Sequence, residues 1–263
     1  MRFFSRALGI LMLLGATLPA VTVSAANTTA VHATSGAAHP VLLRKFNLPP
    51  SVDLNYAIKA RQSGLQIQGE ASVQWRTDGK TYSVNSTTRA MLFGKILEAN
   101  SSGTIDRYGL APSSFTETRF RKTSTSATFT RDAGAAKISF AQSDASYPIL
   151  GGEQDRTSII WQLVALARAA PHQFKTGSTW DFFVAGQRDA ERWSFKVIGS
   201  EKIRSLAGDQ TALHIVRAPP PDDKSQTLDI WLAPALEWYP IKLRFSETDG
   251  DYIEQRLTQQ SKP

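Results

Sequence analysis

Residues 154–171, QDRTSIIWQLVALARAAP, are the one long stretch with helical spacing in a chain that otherwise has the pattern of successive strands. Apolar side chains recur at intervals of three and four residues from Ile159 to Ala170, with a second apolar stripe beside them. A helix with so wide an apolar surface must be largely covered by other elements. Asp155 is placed for an N-cap or a first-turn acid, and Pro171 predicts that the helix stops at Ala170.

The segments on either side of this stretch favour β-strands and are separated by turn signals, which predicts an antiparallel meander. Asp78-Gly79 lies between two alternating runs and is the strongest hairpin signal in the chain. Asp249-Gly250 marks another tight hairpin, between the last two predicted strands. The predicted strands are 52–60, 65–75, 80–88, 96–105, 114–121, 126–131, 136–141, 180–186, 191–199, 211–218, 227–233, 239–247 and 251–259.

A sheet with this many strands twists and, if long, must curl to avoid a splayed edge. We therefore expect a mainly β fold with a strongly curved antiparallel meander sheet, half-barrel-like in shape. One long apolar helix would pack on the concave face of that sheet, where it would fill most of the hollow.

The N-terminus has the order of a secretory signal peptide: Arg2 and Arg6, an apolar run over residues 7–18, and small residues that end at Ala25. The run is too short to span a bilayer, which needs roughly 18 or more apolar residues. We expect residues 1–25 to be a signal peptide, 26–45 a flexible leader rich in Ala, Thr and Ser, and 46–260 a single β-rich domain.

The composition favours a protein of the bacterial envelope. The chain has no cysteine, so it has no disulfide, thiolate metal ligand or cysteine nucleophile, and export without disulfides suggests a bacterial route. The 30 basic side chains less Arg2 and Arg6 leave 28 against 23 acidic, a net charge of +5. In an exported protein this excess favours anionic lipid headgroups or polysaccharide over nucleic acid, and a solvated basic surface is the alternative.

The chain contains four spaced motifs: Tyr108-Gly-Leu-Ala-Pro112, Asp155-Arg-Thr-Ser158 with Gln162-Leu163, Trp231-Leu-Ala-Pro234 and Tyr239-Pro-Ile-Lys-Leu-Arg244. Over roughly residues 46–258 they resemble a bacterial exported family catalogued as domain of unknown function three-one-zero-eight. The family has no established activity, and the resemblance implies an envelope protein with a signal sequence. Its meander-plus-helix plan is similar in outline to the curved sheets of lipoprotein carriers, which is an analogy of fold only.

Six side chains are candidates for contact with a ligand or partner. Asp155 and Arg156 are placed to cap the helix and pair with a neighbouring strand, and a ligand contact is the alternative. The aromatic candidates lie in the helix and on a strand with apolar residues on both faces. The basic candidates share one strand face by alternation, which suits an anionic headgroup or a solvated sheet face. The full set is Asp155, Arg156, Trp161, Trp231, Arg119 and Arg121.

The sequence contains no recognisable catalytic constellation. The four histidines, at positions 32, 39, 172 and 214, do not have the i, i+4 spacing of a helical zinc site. No G-x-S-x-G motif is present. We predict a protein that is not an enzyme and that uses no metal and no cofactor.

Three functional hypotheses follow. The first is a non-catalytic periplasmic or cell-envelope protein that serves as an interaction or assembly factor and acts through its outer surface. The alternative is a carrier or binder of a lipid-like or acyl ligand in a pocket between the curved sheet and the helix. The third, an enzyme acting on glycan or lipid, rests only on the acidic residues around Asp155. None of the three involves nucleic acid or a transmembrane span.

Overall fold

The computed structural model describes residues 39–132, 134–205, 208–219 and 226–263. The predicted signal peptide and the predicted leader as far as residue 38 lie outside these residues. The described part contains 15 strands, one α-helix (α1, Ser158–Ala169) and two short 3-10 helices (Pro171–Gln173 and Pro234–Leu236). The strands are β1 (Val52–Gln62), β2 (Leu65–Thr77), β3 (Thr81–Ala90), β4 (Gly94–Asp106), β5 (Gly109–Arg119), β6 (Thr125–Thr130), β7 (Lys137–Phe140), β8 (Ser143–Pro148), β9 (Gln154–Asp155), β10 (Thr179–Ala185), β11 (Ala190–Ser205), β12 (Gly208–Arg217), β13 (Thr227–Leu232), β14 (Pro240–Ser246) and β15 (Tyr252–Ser261).

All 15 strands belong to one sheet, in the order β8-β7-β6-β5-β4-β3-β2-β1-β15-β14-β13-β12-β11-β10-β9. Strands that are consecutive in the chain are neighbours in the sheet, except β8 and β9, and the first and last strands pair with each other in the middle. Every pair is antiparallel except β9 with β10, which is parallel. The predicted antiparallel meander in a mainly β chain is confirmed. The sheet is not closed, because β8 and β9 are its two edges.

The sheet is rolled so that its two edges come close together. A flat sheet of 15 strands would be about 70 Å wide at roughly 4.8 Å per strand, whereas the link over residues 149–153 between β8 and β9 spans at most about 20 Å. Contacts between strands near the two edges of the sheet agree with this limit. Tyr147 of β8 lies with its ring 5.5 Å from that of Phe183 of β10, and Phe183 shares a buried cluster with Phe115 of β5 and Ile138 of β7.

Helix α1 packs against strands from both halves of this rolled sheet. Ile159, Leu163 and Leu166 belong to a buried cluster with apolar residues of β10 to β14. Trp161 belongs to a second cluster, and its ring stacks on Trp75 of β2 at 4.5 Å between centroids. No residue of α1 is exposed. The helix is covered on nearly all sides by the strands, as its apolar pattern predicted.

The prediction of a long apolar helix was wrong. Helix α1 has 12 residues, which is close to the average length of about 11–12 in globular proteins. Gln154 and Asp155 instead form β9, in register with the end of β10. The helix stops before Pro171 because proline disfavours α conformation in the residue that precedes it. Its buried positions also include the polar residues Ser158 and Gln162.

The two predicted Asp-Gly hairpins are confirmed. Gly79 has φ +84° between β2 and β3, and the Oδ1 atom of Asp78 accepts the backbone N–H groups of Lys80 and Thr81 at 2.8 and 2.6 Å. Gly250 has φ +88° between β14 and β15. Glycine suits both positions because it has no Cβ to disfavour positive φ.

Replacement of Trp161 by alanine tests whether α1 holds the fold together. Loss of a fully buried tryptophan removes its transfer free energy and leaves a cavity, so we expect the free energy of unfolding to fall by about 3–5 kcal/mol. Chemical denaturation measures this change. The control is Leu42→Ala at an exposed position, where the change stays within about 0.5 kcal/mol. A loss of less than about 1 kcal/mol for Trp161→Ala would contradict close packing of the helix.

Candidate functional site

A buried polar network surrounds the N-terminus of α1. The Oδ1 atom of Asp155 accepts the backbone N–H groups of Thr157 and Ser158, both at 2.8 Å, while Ser158 Oγ accepts the backbone N–H of Asp155 at 2.9 Å. The Oδ2 atom accepts the hydroxyl of Ser101 at 2.5 Å, and Ser101 Oγ lies 3.0 Å from the hydroxyl of Tyr82. These contacts satisfy N–H groups that the first turn of a helix leaves without partners. Asp155 therefore stabilises the start of α1 from β9. The predicted N-cap or first-turn position was wrong, because Thr157 is the N-cap and the first turn contains no acidic residue.

Burial also sets the acidity of this network. Removal from water disfavours the charged carboxylate and raises the pKa of Asp155 to about 6, although its hydrogen bonds from Ser101, Ser158 and Thr157 oppose the shift. Burial likewise raises the pKa of Tyr82 well above its usual value, and the nearby charge of Asp155 adds to this effect.

Two glutamine side chains attach the helix region to the turn between β4 and β5. Gln162 accepts the backbone N–H of Leu110 at 2.9 Å and donates to the carbonyl of Tyr108 at 2.8 Å. Gln154 donates to the carbonyl of Leu110 at 2.7 Å. A Cβ at Gly109, which has φ +109°, would lie 2.4 Å from the Gln162 amide oxygen. The glycine is needed because this side chain comes so close to the backbone.

Arg156 lies in a cluster of charged and aromatic side chains. Its guanidinium is 5.8 Å from the ring centroid of Trp193, and that of Arg217 is 4.6 Å from the same ring. Glu191 pairs with Arg217 at 3.1 Å. Burial lowers the pKa of Arg156, and the charge of Glu117 opposes this shift. Arg156 therefore lies beside side chains of β5 and β11.

Of the two basic strand candidates, Arg119 belongs to the same cluster and Arg121 does not. Arg119 Nε lies 2.5 Å from Glu117 Oε1, so Glu117 links Arg119 to Arg156. Arg121 lies in the following turn, where its guanidinium covers the ring of Phe120 at 4.9 Å. The predicted alternation on one face was wrong, because β5 ends at Arg119 and Arg121 has φ +54°.

The two tryptophan candidates belong to one buried cluster but make different contacts. Trp161 stacks on Trp75, whose indole N–H donates to the carbonyl of Pro49 at 3.0 Å. Trp231 stacks on His214 at 4.4 Å and donates its indole N–H to Glu201 at 2.5 Å. Both side chains are too deeply buried to contact a large partner.

One buried contact between a histidine and a glutamate was missed by the sequence patterns. His39, which was assigned to the flexible leader, has Nε2 3.0 Å from Oε1 of Glu153 and its ring 4.6 Å from that of Phe183. Burial favours the neutral form of Glu153, but bonds from His39 and from the N–H groups of Gly151 and Leu150 outweigh burial and lower the pKa of Glu153.

Within the described residues no group of three or more His, Cys, Asp or Glu side chains is placed to hold a metal. No described helix is long and apolar enough to cross a membrane. Among the depressions of the described surface, one of about 480 Å³ lies over β15, β1, β2 and β3 and one of about 260 Å³ lies beside residues 91–93; neither of these is lined by α1.

Comparison with known proteins agrees with this architecture. The model of the family described as protein of unknown function (DUF3108) matches residues 53–258. The chain belongs to this family. The predicted resemblance is therefore confirmed, and the family description assigns no activity. No curated protein matches the chain at a significant level.

Solved structures also resemble the chain. A β-barrel-like protein of the domain of unknown function DUF1849 from Brucella abortus is 12% identical, with 82% of this chain and 98% of that chain covered and a TM-score of 0.54. This likeness shows the fold alone. A putative outer membrane lipoprotein-sorting protein domain from Vibrio parahaemolyticus (8% identity, 81% and 85% covered) has a TM-score of 0.27. A DUF1329 family protein from Desulfovibrio piger ATCC 29098 (6% identity, 81% and 86% covered) has a TM-score of 0.30.

Replacement of Asp155 by asparagine tests the buried carboxyl group through its pH dependence. The folded protein holds the Asp155 proton more tightly than the unfolded chain, whose pKa is near 3.8, so this group lowers stability as pH rises from about 4 to about 6. Asparagine keeps an acceptor for the helix N–H groups and does not ionise. We expect the variant to gain stability relative to the wild type by up to roughly 3 kcal/mol between pH 4 and pH 7.

Urea unfolding of both proteins across this pH range measures the difference. Asp155→Ala is the control, because it removes the acceptor and should be less stable than Asp155→Asn at every pH by about 1–2 kcal/mol. Parallel stability curves for wild type and Asp155→Asn would show that the carboxyl does not titrate in this range.

Proposed function

We propose that the protein is a non-catalytic, exported component of the cell envelope that acts through its outer surface as an interaction or assembly factor. The observation that carries this proposal is the filling of the rolled sheet by α1. All seven residues from Trp161 to Ala167 are buried, and they pack against strands on both halves of the sheet. An interior filled in this way leaves the outer surface for recognition.

The polar groups around α1 support a role without catalysis. The carboxyl group of Asp155 accepts hydrogen bonds from the helix N–H groups and from Ser101, and the amide of Gln162 forms hydrogen bonds with the β4–β5 turn. A general acid or base needs to be within hydrogen-bond reach of a substrate proton. These side chains have their hydrogen-bonding capacity directed to the protein backbone, so they fit a structural role.

Export to the periplasm is proposed from the N-terminal sequence. Arg2 and Arg6, the apolar run and the small residues up to Ala25 have the order of a cleavable signal. The absence of cysteine removes a lipid-attachment site after the signal. We propose that the mature chain is released into the envelope compartment.

The carrier alternative needs space for an acyl chain beside α1. The stacking of Trp161 on Trp75 and the packing of Leu163 and Leu166 against β10 to β14 occupy that region. Both surface depressions lie elsewhere. The geometry therefore favours the surface role over the carrier role.

Titration with a fluorescent long-chain acyl probe separates the two roles. A filled interior predicts no saturable increase in emission with the wild type, and native mass spectrometry of protein purified from its host should give the mass of the mature chain alone. Saturable binding of one probe per chain, or a co-purified lipid, would overturn the filled interior and support the carrier role.

Chemical cross-linking in the host tests the surface role directly. The proposal predicts a reproducible set of cross-linked envelope components, identified by mass spectrometry, that is absent from a matched exported protein of similar size and charge. Recovery of the same components with both proteins would contradict a specific interaction role.

A further inference from the structure

Large apolar side chains are exposed on three neighbouring hairpins. Leu92 is 89% exposed and Met91 78%, and Leu65 and Phe93 are also exposed. The ring of Phe93 lies 6.3 Å from that of Phe120 in the turn between β5 and β6. These five residues are called here the tip patch. Single exposed apolar residues are common on protein surfaces, but a cluster of them indicates a binding surface.

The tip patch lies at one end of the sheet. Strands β1 to β6 are successive antiparallel neighbours, so the turns that follow β1, β3 and β5 all lie at the same end. Backbone hydrogen bonds fix their positions relative to one another. Met91 N donates to the carbonyl of Gln68 at 3.1 Å, and Phe120 N donates to the carbonyl of Ile96 at 2.8 Å. The apolar side chains therefore project together from rigid strands.

Basic side chains border the tip patch. Arg89 and Lys95 flank the β3–β4 turn, and Arg121 and Lys122 follow Phe120 in the β5–β6 turn; all four basic residues are exposed. Their long apolar stems allow the charged groups to reach past the apolar residues toward anionic headgroups. Positively charged side chains therefore lie next to the apolar side chains at the turns.

Acidic residues reduce this charge without cancelling it. Glu98 pairs with Lys95 at 2.5 Å, and Glu70 lies opposite Arg89 in the β2–β3 register. Four basic residues therefore face two acidic ones around the β3–β4 and β5–β6 turns. Asp251 of the β14–β15 turn accepts a backbone N–H at the β1–β2 turn, so acidic charge lies beyond β1. The positive part of the border is on the β3 to β6 side.

We propose that the tip patch inserts into the interface of a lipid bilayer that contains anionic lipid, so that the protein docks end-on at a membrane surface. Apolar side chains at protruding turns enter a fluid bilayer without a complementary surface, and neighbouring basic groups bind anionic headgroups. A standard protein interface uses roughly 20–30 residues on each side, far more than this patch provides. The chemistry therefore fits a bilayer better than a protein partner.

This inference rests on the proposed function in that it assigns a partner to the outer surface. Separate experiments test the two proposals, so one can be contradicted without the other. The acyl-probe titration tests whether the interior is filled, and vesicle binding tests the tip patch whether or not the interior binds ligand.

Vesicle flotation with the full mature chain tests the proposal. The vesicles contain equal parts of phosphatidylcholine and phosphatidylglycerol, and vesicles of phosphatidylcholine alone serve for comparison. The test variant is Met91→Glu with Leu92→Glu. The matched control is Leu42→Glu with Leu43→Glu, an exposed apolar pair in the segment whose Arg44 packs on Trp180 at the start of β10, at the opposite end of the sheet.

We expect the wild type to float with the anionic vesicles, less with the neutral ones, and less at high salt. The tip variant should lose at least about tenfold in partition coefficient and the control should stay within about twofold. Absence of wild-type binding to anionic vesicles, or equal losses in both variants, would overturn the proposal. So would a wild-type dimer in light scattering that the tip variant abolishes while its vesicle binding is unchanged.

Site-specific labelling provides a second readout, because the chain has no cysteine of its own. Leu92→Cys and Leu43→Cys are each labelled with a fluorophore whose emission shifts to the blue in an apolar environment. The label at position 92 should shift on addition of anionic vesicles, whereas the label at position 43 should not. Equal responses at both positions, or none at position 92, would overturn insertion of the tip patch.

Discussion

The burial of α1 inside the rolled sheet is the constraint on which the rest of the structure depends. The link over residues 149–153 forces the two sheet edges together, and the helix that follows β9 occupies the space that the roll encloses. Burial of a helix N-terminus is unfavourable unless its free N–H groups find partners. Asp155 supplies the acceptors and Gln162 fixes the helix to the β4–β5 turn. Two of the sequence motifs on which the predicted resemblance rested, 108–112 and 155–163, therefore contact each other at the start of the helix.

The fold was largely predictable because alternation and Asp-Gly turns are local signals. Strands with clear alternation, such as β14 (Pro240–Ser246), were identified close to their observed bounds. The edges were not. Strand β8 (Ser143–Pro148) has few β-branched residues, and β9 (Gln154–Asp155) directly precedes the helical pattern, so neither has a local strand signal. Strand β8 pairs with β7 in a short hairpin, and the two residues of β9 pair in parallel with β10 on the far side of the helix.

The candidate site was predicted only in part, for the same reason. Asp155 was predicted at the N-cap or in the first turn because it precedes an apolar helical run, but it lies in β9, two residues before the N-cap, and accepts the N–H groups from there. The partnership of Arg156 and Arg119 through Glu117 joins residues from separate elements, so no spacing indicated it. The pair of His39 and Glu153 was hidden because the histidine follows a stretch of small polar residues that resembles a leader. Sequence patterns locate turns well, but they do not locate contacts across a rolled sheet.

Buried polar side chains and exposed apolar side chains have different explanations in this fold. The buried polar side chains of Asp155 and Gln162 form hydrogen bonds within the protein and hold the helix in place. Three highly exposed apolar side chains of the described residues, those of Leu92, Met91 and Leu65, lie at or beside hairpin turns. Folding favours the first arrangement, because buried polar groups must be satisfied, but it gains nothing from an exposed Leu92. An exposed apolar cluster at one end of the sheet is therefore best explained by what the protein binds.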